Sequence, residues 1–351
     1  MNMIPGLPKD LIVQCLIKVP YKFHNHLRAV CKSWNAVLSS PNFYKERQRH
    51  NECEEGIAYF HLTQRPSNWE VIIYYPHGNW LERLPRAPEE FISDWEVYFN
   101  EFNFVYVRSK HHLVAIGLLN KYDNRASVLM FDFLSRTWRL GHDMPFRRYQ
   151  SACAVSPSPN GLVYITGGVE NLSENPISPH LLESYVFNVE ENKWDVLPRM
   201  NPDSPQYYCV AEFVDDRFYV VPDHGRSFQV YDPQIRLWKT INTDNTGEHV
   251  VNCISAFGRL YWFGLRRDTL VLEEFDFANN LFTTVGQYPF QIRAVDRAVL
   301  CRDCIFVNVL DYSSSLYYLF NLLDKRWTQI EMPAEFPTFS FVSTKFAAVQ
   351  I

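Results

Sequence analysis

Cys301 and Cys304, with Arg302 and Asp303 between them, form the spacing in this chain nearest to a metal or redox motif. Tetrahedral zinc takes four ligands, so the pair would need two more, and the nearest upstream cysteine is Cys253. The pair also falls where two adjacent strands should turn, so it reads as structural. His24 and His26, and the pair His111-His112, sit at expected turns without carboxylate or cysteine companions and read as surface histidines. Asp215-Asp216 and Glu273-Glu274 are neighbouring carboxylates, but successive side chains of a strand point to opposite faces, which suits solvated surfaces better than an acid/base pair. No glycine-rich phosphate loop links a strand to a helix, and no Gly-x-Ser-x-Gly elbow occurs. The expectation is a chain with no catalytic residues, no metal and no cofactor. Its remaining chemistry is recognition, so the question becomes which elements display recognition surfaces.

The first fifty residues are helical. From Pro8 the apolar positions Leu11, Ile12, Cys15, Leu16 and Val19 recur at helical spacing. Pro8 suits a first turn, where its missing N–H costs nothing, and Pro20 stops the helix. A second stretch carries Leu27, Val30, Cys31, Trp34, Val37 and Leu38 at steps of three and four, ending at Ser39-Ser40-Pro41. Phe43 and Tyr44 open a last short helix through Arg47. Three such helices make a poor core alone. Their apolar face is expected either to pack on the downstream domain or to bind a partner.

The remaining residues repeat. An apolar strand runs into an aromatic-Asp/Asn turn, followed by an aromatic anchor: Trp80, Trp138, Trp194, Trp238, Phe282 and Trp327, at steps of 58, 56, 44, 44 and 45. Upstream strands accompany each unit, among them 57–62, 113–117, 162–166, 218–221, 260–263 and 305–309. Four strands at a period near 50 predict a kelch-type β-propeller. Six units predict six blades, or seven if residues 86–112 hold strands of their own. The first unit lacks an inner strand, and residues 339–351 form a surplus one, so the C-terminal strand is expected to complete blade one and remove exposed edges. Domains are expected at 1–47 (helical), 48–56 (a short linker holding a fixed orientation) and 57–351 (propeller). The diagnostic double glycine occurs at Gly167-Gly168 and is altered in the other units.

Loops between second and third strands share a face with the connections between blades. That face carries Arg147, Arg148, Tyr149, Tyr207, Tyr208 and Arg293, residue types that anchor interfaces. Tyr149 and Tyr207 fit equally well as buttresses of inner strands. The long 168–181 loop is the best placed to carry recognition.

Bulk properties agree with a globular, β-rich protein. Of 351 residues, 47% are hydrophobic and 16% aromatic. The formal net charge of −5 is unevenly spread. Residues 1–50 hold eight Lys/Arg and two Asp/Glu, a net of +6. The rest hold 26 against 37, a net of −11. The acidic balance disfavours nucleic acid, and the basic N-terminal module suits an acidic partner or simply carries scattered surface lysines. Cys15, Cys31, Cys153, Cys209 and Cys253 lie among apolar residues and read as buried small hydrophobes of a reducing compartment. The N-terminal residues do not read as a signal peptide. No run approaches the roughly 20 apolar residues of a spanning helix, so no membrane association is expected and the default location is cytosol or nucleus.

Leu7-Pro8-Lys9-Asp10-Leu11, Cys15-Leu16, Val19-Pro20 and Leu27-Arg28-Ala29-Val30-Cys31-Lys32-Ser33-Trp34 closely resemble an F-box over about residues 4–47. Ile4-Pro5-Gly6 and Ser39–Arg47 resemble the plant F-box/kelch-repeat proteins in particular. The resemblance implies binding to an acidic Skp adaptor and through it to a cullin-RING ubiquitin ligase. The adaptor contacts it implies are Pro8, Leu11, Ile12, Leu16, Val19, Pro20, Leu27, Val30, Cys31 and Trp34. It further implies a protein substrate on the propeller, in the range of phenylpropanoid enzymes or hormone-signalling regulators. A kelch scaffold without a ligase role, or a propeller enzyme, are the competing classes.

Overall fold

A computed structural model describes residues 6–62, 69–92, 95–96, 102–120, 126–148, 150–169, 182–202, 209–222, 227–243, 249–266, 269–288, 294–310, 315–336 and 345–351. Helix α1 (Lys9–Ile17) follows Pro8 and is succeeded by a single 3-10 turn at Tyr21–Phe23. The second helical stretch is two helices, α2 (His24–Val30) and α3 (Lys32–Leu38). Between them Cys31 is extended (φ −165°, ψ 164°), and its carbonyl accepts the first hydrogen bond of α3, from Asn35 N–H at 3.0 Å. Helix α4 (Pro41–Arg49) begins with proline in its first turn. It runs two residues past the expected boundary, and the first strand opens at Glu55, leaving 50–54 as the connection.

Six four-stranded antiparallel blades follow. Blade one combines β1 (Glu55–Leu62), β2 (Trp69–Tyr75) and β3 (Trp80–Arg83) with β25 (Lys345–Gln350), in the order β25-β1-β2-β3. After a short helix α5 (Glu89–Ile92), the inner strand of blade two comes in two pieces, β4 (Trp95–Glu96) and β5 (Asn103–Val107). Both pair with β6 (His112–Asn120), which continues to β7 (Ala126–Asp132) and β8 (Thr137–Met144). Among the described residues of 86–112, the strands β4 and β5 both pair within blade two and add no seventh blade. Blade three is β9 (Ala152–Val155), β10 (Leu162–Thr166), β11 (Ser184–Asn188) and β12 (Lys193–Leu197). Blade four is β13 (Cys209–Val214), β14 (Arg217–Pro222), β15 (Ser227–Asp232) and β16 (Leu237–Asn242). Blade five is β17 (His249–Ala256), β18 (Arg259–Arg266), β19 (Thr269–Asp276) and β20 (Leu281–Gln287). Blade six is β21 (Ala294–Cys301), β22 (Cys304–Leu310), β23 (Ser315–Asn321) and β24 (Trp327–Ile330).

The inner strands β25, β5, β9, β13, β17 and β21 touch one another in that cyclic order, so the ring is closed. Closure rests on β25, which pairs with β1 from Glu55↔Gln350 to Phe60↔Lys345. Phe346 sits edge-on to Tyr59 at 4.3 Å, and Tyr106 of β5 donates to the Gln350 carbonyl at 2.6 Å. Of the C-terminal segment expected as a strand, 339–344 lie outside the described residues.

The recurring aromatic anchors have a chemical reason. Trp138 Nε1 donates to the Pro85 carbonyl (2.6 Å), Trp194 to His142 (2.9 Å), Trp238 to Pro198 (2.8 Å) and Trp327 to Gln287 (3.1 Å). Each indole thus ties the outer edge of its blade to the end of the preceding one. Blade five carries Phe282 at this position; it stacks on Trp262 and has no N–H to offer.

Phe346→Ala should cost about 3–5 kcal/mol of stability, the range for emptying a buried aromatic site. Trp238→Phe should cost about 1 kcal/mol, that of one hydrogen bond. Denaturant melts of the two variants check both figures.

Candidate protein-binding surfaces

Alternating strand direction gives the ring two faces. One carries the turns between first and second and between third and fourth strands. The other carries the second-to-third loops and the connections between blades. The helices sit on the turn face beneath blades one and two. Arg28 Nη1 donates to the Leu134 carbonyl at 2.8 Å in the β7–β8 turn, and Tyr44 packs on His111 in the β5–β6 turn at 5.2 Å.

One side of the helices is part of the main core. Ile12, Leu16, Ile17, Tyr21, Leu38, Phe43 and Tyr44 are buried with Phe60, Tyr75, Phe131, Phe133 and Ile351 of the propeller. Ile12 and Leu16, expected among the adaptor contacts, are therefore inside the protein (1% and 3% exposed) and are not available on its surface. The helical period marked them as apolar but could not say which of two apolar faces they served.

Polar groups lock the same interface. Arg28 also donates to Ser39 Oγ (2.7 Å), the Leu38 carbonyl (2.8 Å) and Tyr44 Oη (3.2 Å). Arg136 of blade two donates to Tyr21 Oη and pairs with Glu82 of blade one, each at 2.9 Å. Arg47 is fully buried and donates to the carbonyls of Ile17 (2.6 Å), Val19 (2.8 Å) and Glu52 (2.5 Å). Both terminal nitrogens of this buried guanidinium are met by carbonyls, while its Nε has no hydrogen-bond partner. The connection at 50–54 is thus held on both sides, and the helices are fixed relative to the ring.

The opposite side of the helices is apolar and uncovered. Pro8, Leu11, Pro20, Val30 and Cys31 are exposed, Leu11 by 46% and Val30 by 60%. Val19, Leu27 and Trp34 are half-buried, with Leu27 and Trp34 leaning on the shared core. Phe23, which the sequence reading passed over, is also exposed, with Lys22 Nζ 5.0 Å from its ring. It lies in the 3-10 turn between helices, where a helical period gives no signal. Cys15 joins Cys31 on the exposed side, so neither is the buried hydrophobe expected. Exposed apolar side chains beside Lys22 and Lys32 give this side the character of a protein-contact surface.

The loop face keeps fewer of its expected residues. Arg148 is 2% exposed, its Nη1 donates to the Gly167 carbonyl at 3.0 Å, and its guanidinium lies 5.3 Å from the Tyr185 ring. It holds the double glycine, whose residues adopt φ of 64° and 89°, conformations that favour glycine. Arg148 is therefore an internal strut and not a substrate contact. Its partners Gly167 and Tyr185 are distant in sequence, so the repeat pattern alone leaves Arg148 looking like Arg147 beside it. Arg147 is half-buried and Phe146, beside it, is 40% exposed. Tyr149, Tyr207, Tyr208 and Arg293 lie outside the described residues, as does 170–181 of the expected recognition loop.

The histidines also differ from expectation. His24 is buried, its Nε2 donating to the Val19 carbonyl at 3.0 Å, and His111 is half-buried under Tyr44. Cys301 and Cys304 face one another across the β21–β22 turn as free thiols.

The fold and surfaces define a helical docking module fixed to a six-bladed propeller. The family model for the F-box domain matches residues 4–46. The F-box/kelch-repeat protein SKIP20 of Arabidopsis thaliana is 26% identical over 68% of this chain and 66% of its own length. F-box/kelch-repeat protein At1g80440 of the same plant is 26% identical over 94% of this chain and 96% of its own. The chain carries an F-box domain and is similar to F-box/kelch-repeat proteins along nearly its whole length. A crystal structure of TolB from Acinetobacter baumannii matches with a TM-score of 0.56 at 12% identity, over 84% of this chain and 66% of that one, a likeness of fold alone.

The buried histidines give a pH test. Burial, with Arg47 adding to it, pushes His24 down to about 3, and burial pushes His111 down to about 4. The unfolded chain takes up these protons near pH 6.5, so stability is complete above that value and is lost as pH falls toward 4. At pH 5 the loss should be on the order of 2 kcal/mol per histidine. Melting curves between pH 7 and pH 5 should show it, and His24→Gln should reduce the slope.

Proposed function

We propose that this chain is the substrate-receptor subunit of an SCF-type ubiquitin ligase. The exposed side of its F-box docks a Skp adaptor, which links to cullin. The propeller holds a target protein for ubiquitination and proteasomal degradation. The observation that carries this reading is the division of the F-box into two apolar sides. One is consumed by the propeller, and the other, with Leu11, Phe23 and Val30, stays in solvent beside lysines. A side chain needed only for packing has no reason to be on the second.

The receptor does no bond chemistry. It raises the local concentration of a target beside a conjugating enzyme bound elsewhere in the complex, which is a proximity effect. The F-box occupies the turn face, so the target is bound on the loop face, through Arg147, Phe146 and the segments holding Tyr149, Tyr207, Tyr208 and Arg293. The site of action is the cytosol or nucleus.

Leu11→Asp and Val30→Asp place charges on the exposed side without entering the core. Each should reduce co-purification of Skp at least tenfold, equivalent to about 1.4 kcal/mol, with the melting temperature unchanged. Wild-type capture of Skp by the double variant would rule the reading out. Arg147→Glu should leave Skp capture intact and lengthen the half-life of the target in cells.

A further inference from the structure

The turn face has a second apolar region, across the ring from the F-box. Among the described residues, half of the exposed large hydrophobic side chains lie here: Ile235, Leu237, Phe257, Phe277, Leu281 and Leu323. They belong to the turns and outer strand starts of blades four, five and six. Single exposed hydrophobics are ordinary, but this grouping is not. Turns of neighbouring blades adjoin. Phe277 of blade five packs on Tyr219 of blade four at 5.5 Å. A Cβ on Gly258 would lie 3.8 Å from Asp215 Oδ1, so the first turns of these two blades adjoin. A groove of about 480 Å³ lined by Phe277, Arg259 and Lys325 joins blade five to blade six.

Phe257 is the most telling member. It is 63% exposed with φ of 53°, in the left-handed region that a bulky side chain enters only at a cost. The corresponding turns of neighbouring blades place Asp215-Asp216 and Arg302 at positive φ. Here a strained backbone displays an aromatic ring to water.

The surrounding charge says what covers it. Segments 215–217, 232–236, 257–259, 274–276, 302–303 and 324–326 hold six Lys/Arg and seven Asp/Glu, a net of −1, whereas the rest of residues 51–351 carries −10. The signs are interspersed, as in the pairs Arg217–Asp232 and Arg259–Glu274. A balanced, mixed rim has no preference for a strongly basic or acidic partner, but it is complementary to itself. A two-fold contact needs the same patch on both sides, with each charge able to meet its opposite.

We propose that this face is a dimer interface that takes a second copy of the chain, with Phe257 and Phe277 at its centre. Blades four and five lie across the ring from blades one and two. The two F-boxes stay at the outer ends, free to bind an adaptor each. The assembly then presents two propeller loop faces, and a target with two recognition segments gains avidity from both.

The test is sedimentation equilibrium of the full chain, alone and with Skp adaptor bound. A concentration-dependent dimer of receptor chains is expected in both. Phe257→Asp and, separately, Phe277→Asp should raise its dissociation constant at least tenfold, with melting curves held at wild type. If either aspartate disturbs folding, Leu323→Ser and Leu281→Ser provide the same test by milder loss. A receptor that stays monomeric to about 100 μM would overturn the proposal and leave the face to a different protein. A dimer indifferent to all four substitutions would place the contact elsewhere and overturn it equally.

Discussion

The pairing of β25 with β1 is the contact on which the rest of this molecule depends. It joins segments from opposite ends of the sequence, and it closes the ring by setting β25 between β5 and β21. It also supplies Ala347, Val349 and Ile351 to the core that receives Ile12, Leu16 and Tyr44 of the F-box. The backbone seals the joint beyond the strand itself, with Glu54 and Ile351 exchanging N–H to carbonyl bonds at 2.8 and 2.9 Å. One ladder therefore removes two sheet edges and builds the seat of the docking module.

The F-box is a part of this core and not a module on a tether. Arg28, Arg47 and the Tyr21–Arg136–Glu82 cluster add directional bonds to the apolar packing, so the interface is both apolar and specific. The spacing between the exposed side of the F-box and the loop face is consequently a property of the fold. Between blades, directional bonds do similar work. Four indoles reach back to the preceding blade, and the seam between blades four and five relies on packing where Phe282 replaces tryptophan.

Much of this was legible in the sequence because periodicity reports element type directly. Anchor spacing gave six blades, and the strand deficit of the first unit against the surplus at 339–351 pointed to the closing pair. Resemblance over residues 4–47 supplied the F-box, which the family model matches at 4–46. Side-chain direction was harder. Ile12 and Leu16 share a helical stripe with Leu11, and only the packed helix shows that the first two turn inward. Arg148 stands next to Arg147 at a blade connection, and its role as a strut depends on Gly167 and Tyr185, which are distant in sequence. The break at Cys31 left no mark, since its residue type neither ends nor starts helices. His24 looked solvent-bound because its partner Val19 and the Arg47 guanidinium beside it come from other parts of the chain.

The shared core has a consequence in time. The F-box emerges early from a ribosome, while β25 is made hundreds of residues later. At about 5–20 residues per second, the helices wait roughly 15–60 s for Ala347, Val349 and Ile351, the last part of the core that buries Ile12, Leu16 and Tyr44. Until then the inner side is incompletely covered and accessible to chaperones. A chain that stops before β25 lacks Ala347, Val349 and Ile351 of that seat and leaves the ring open. Such a fragment presents the helices on an open, incomplete ring, so the order of synthesis makes the last strand the one that finishes both the propeller and the seat of the F-box.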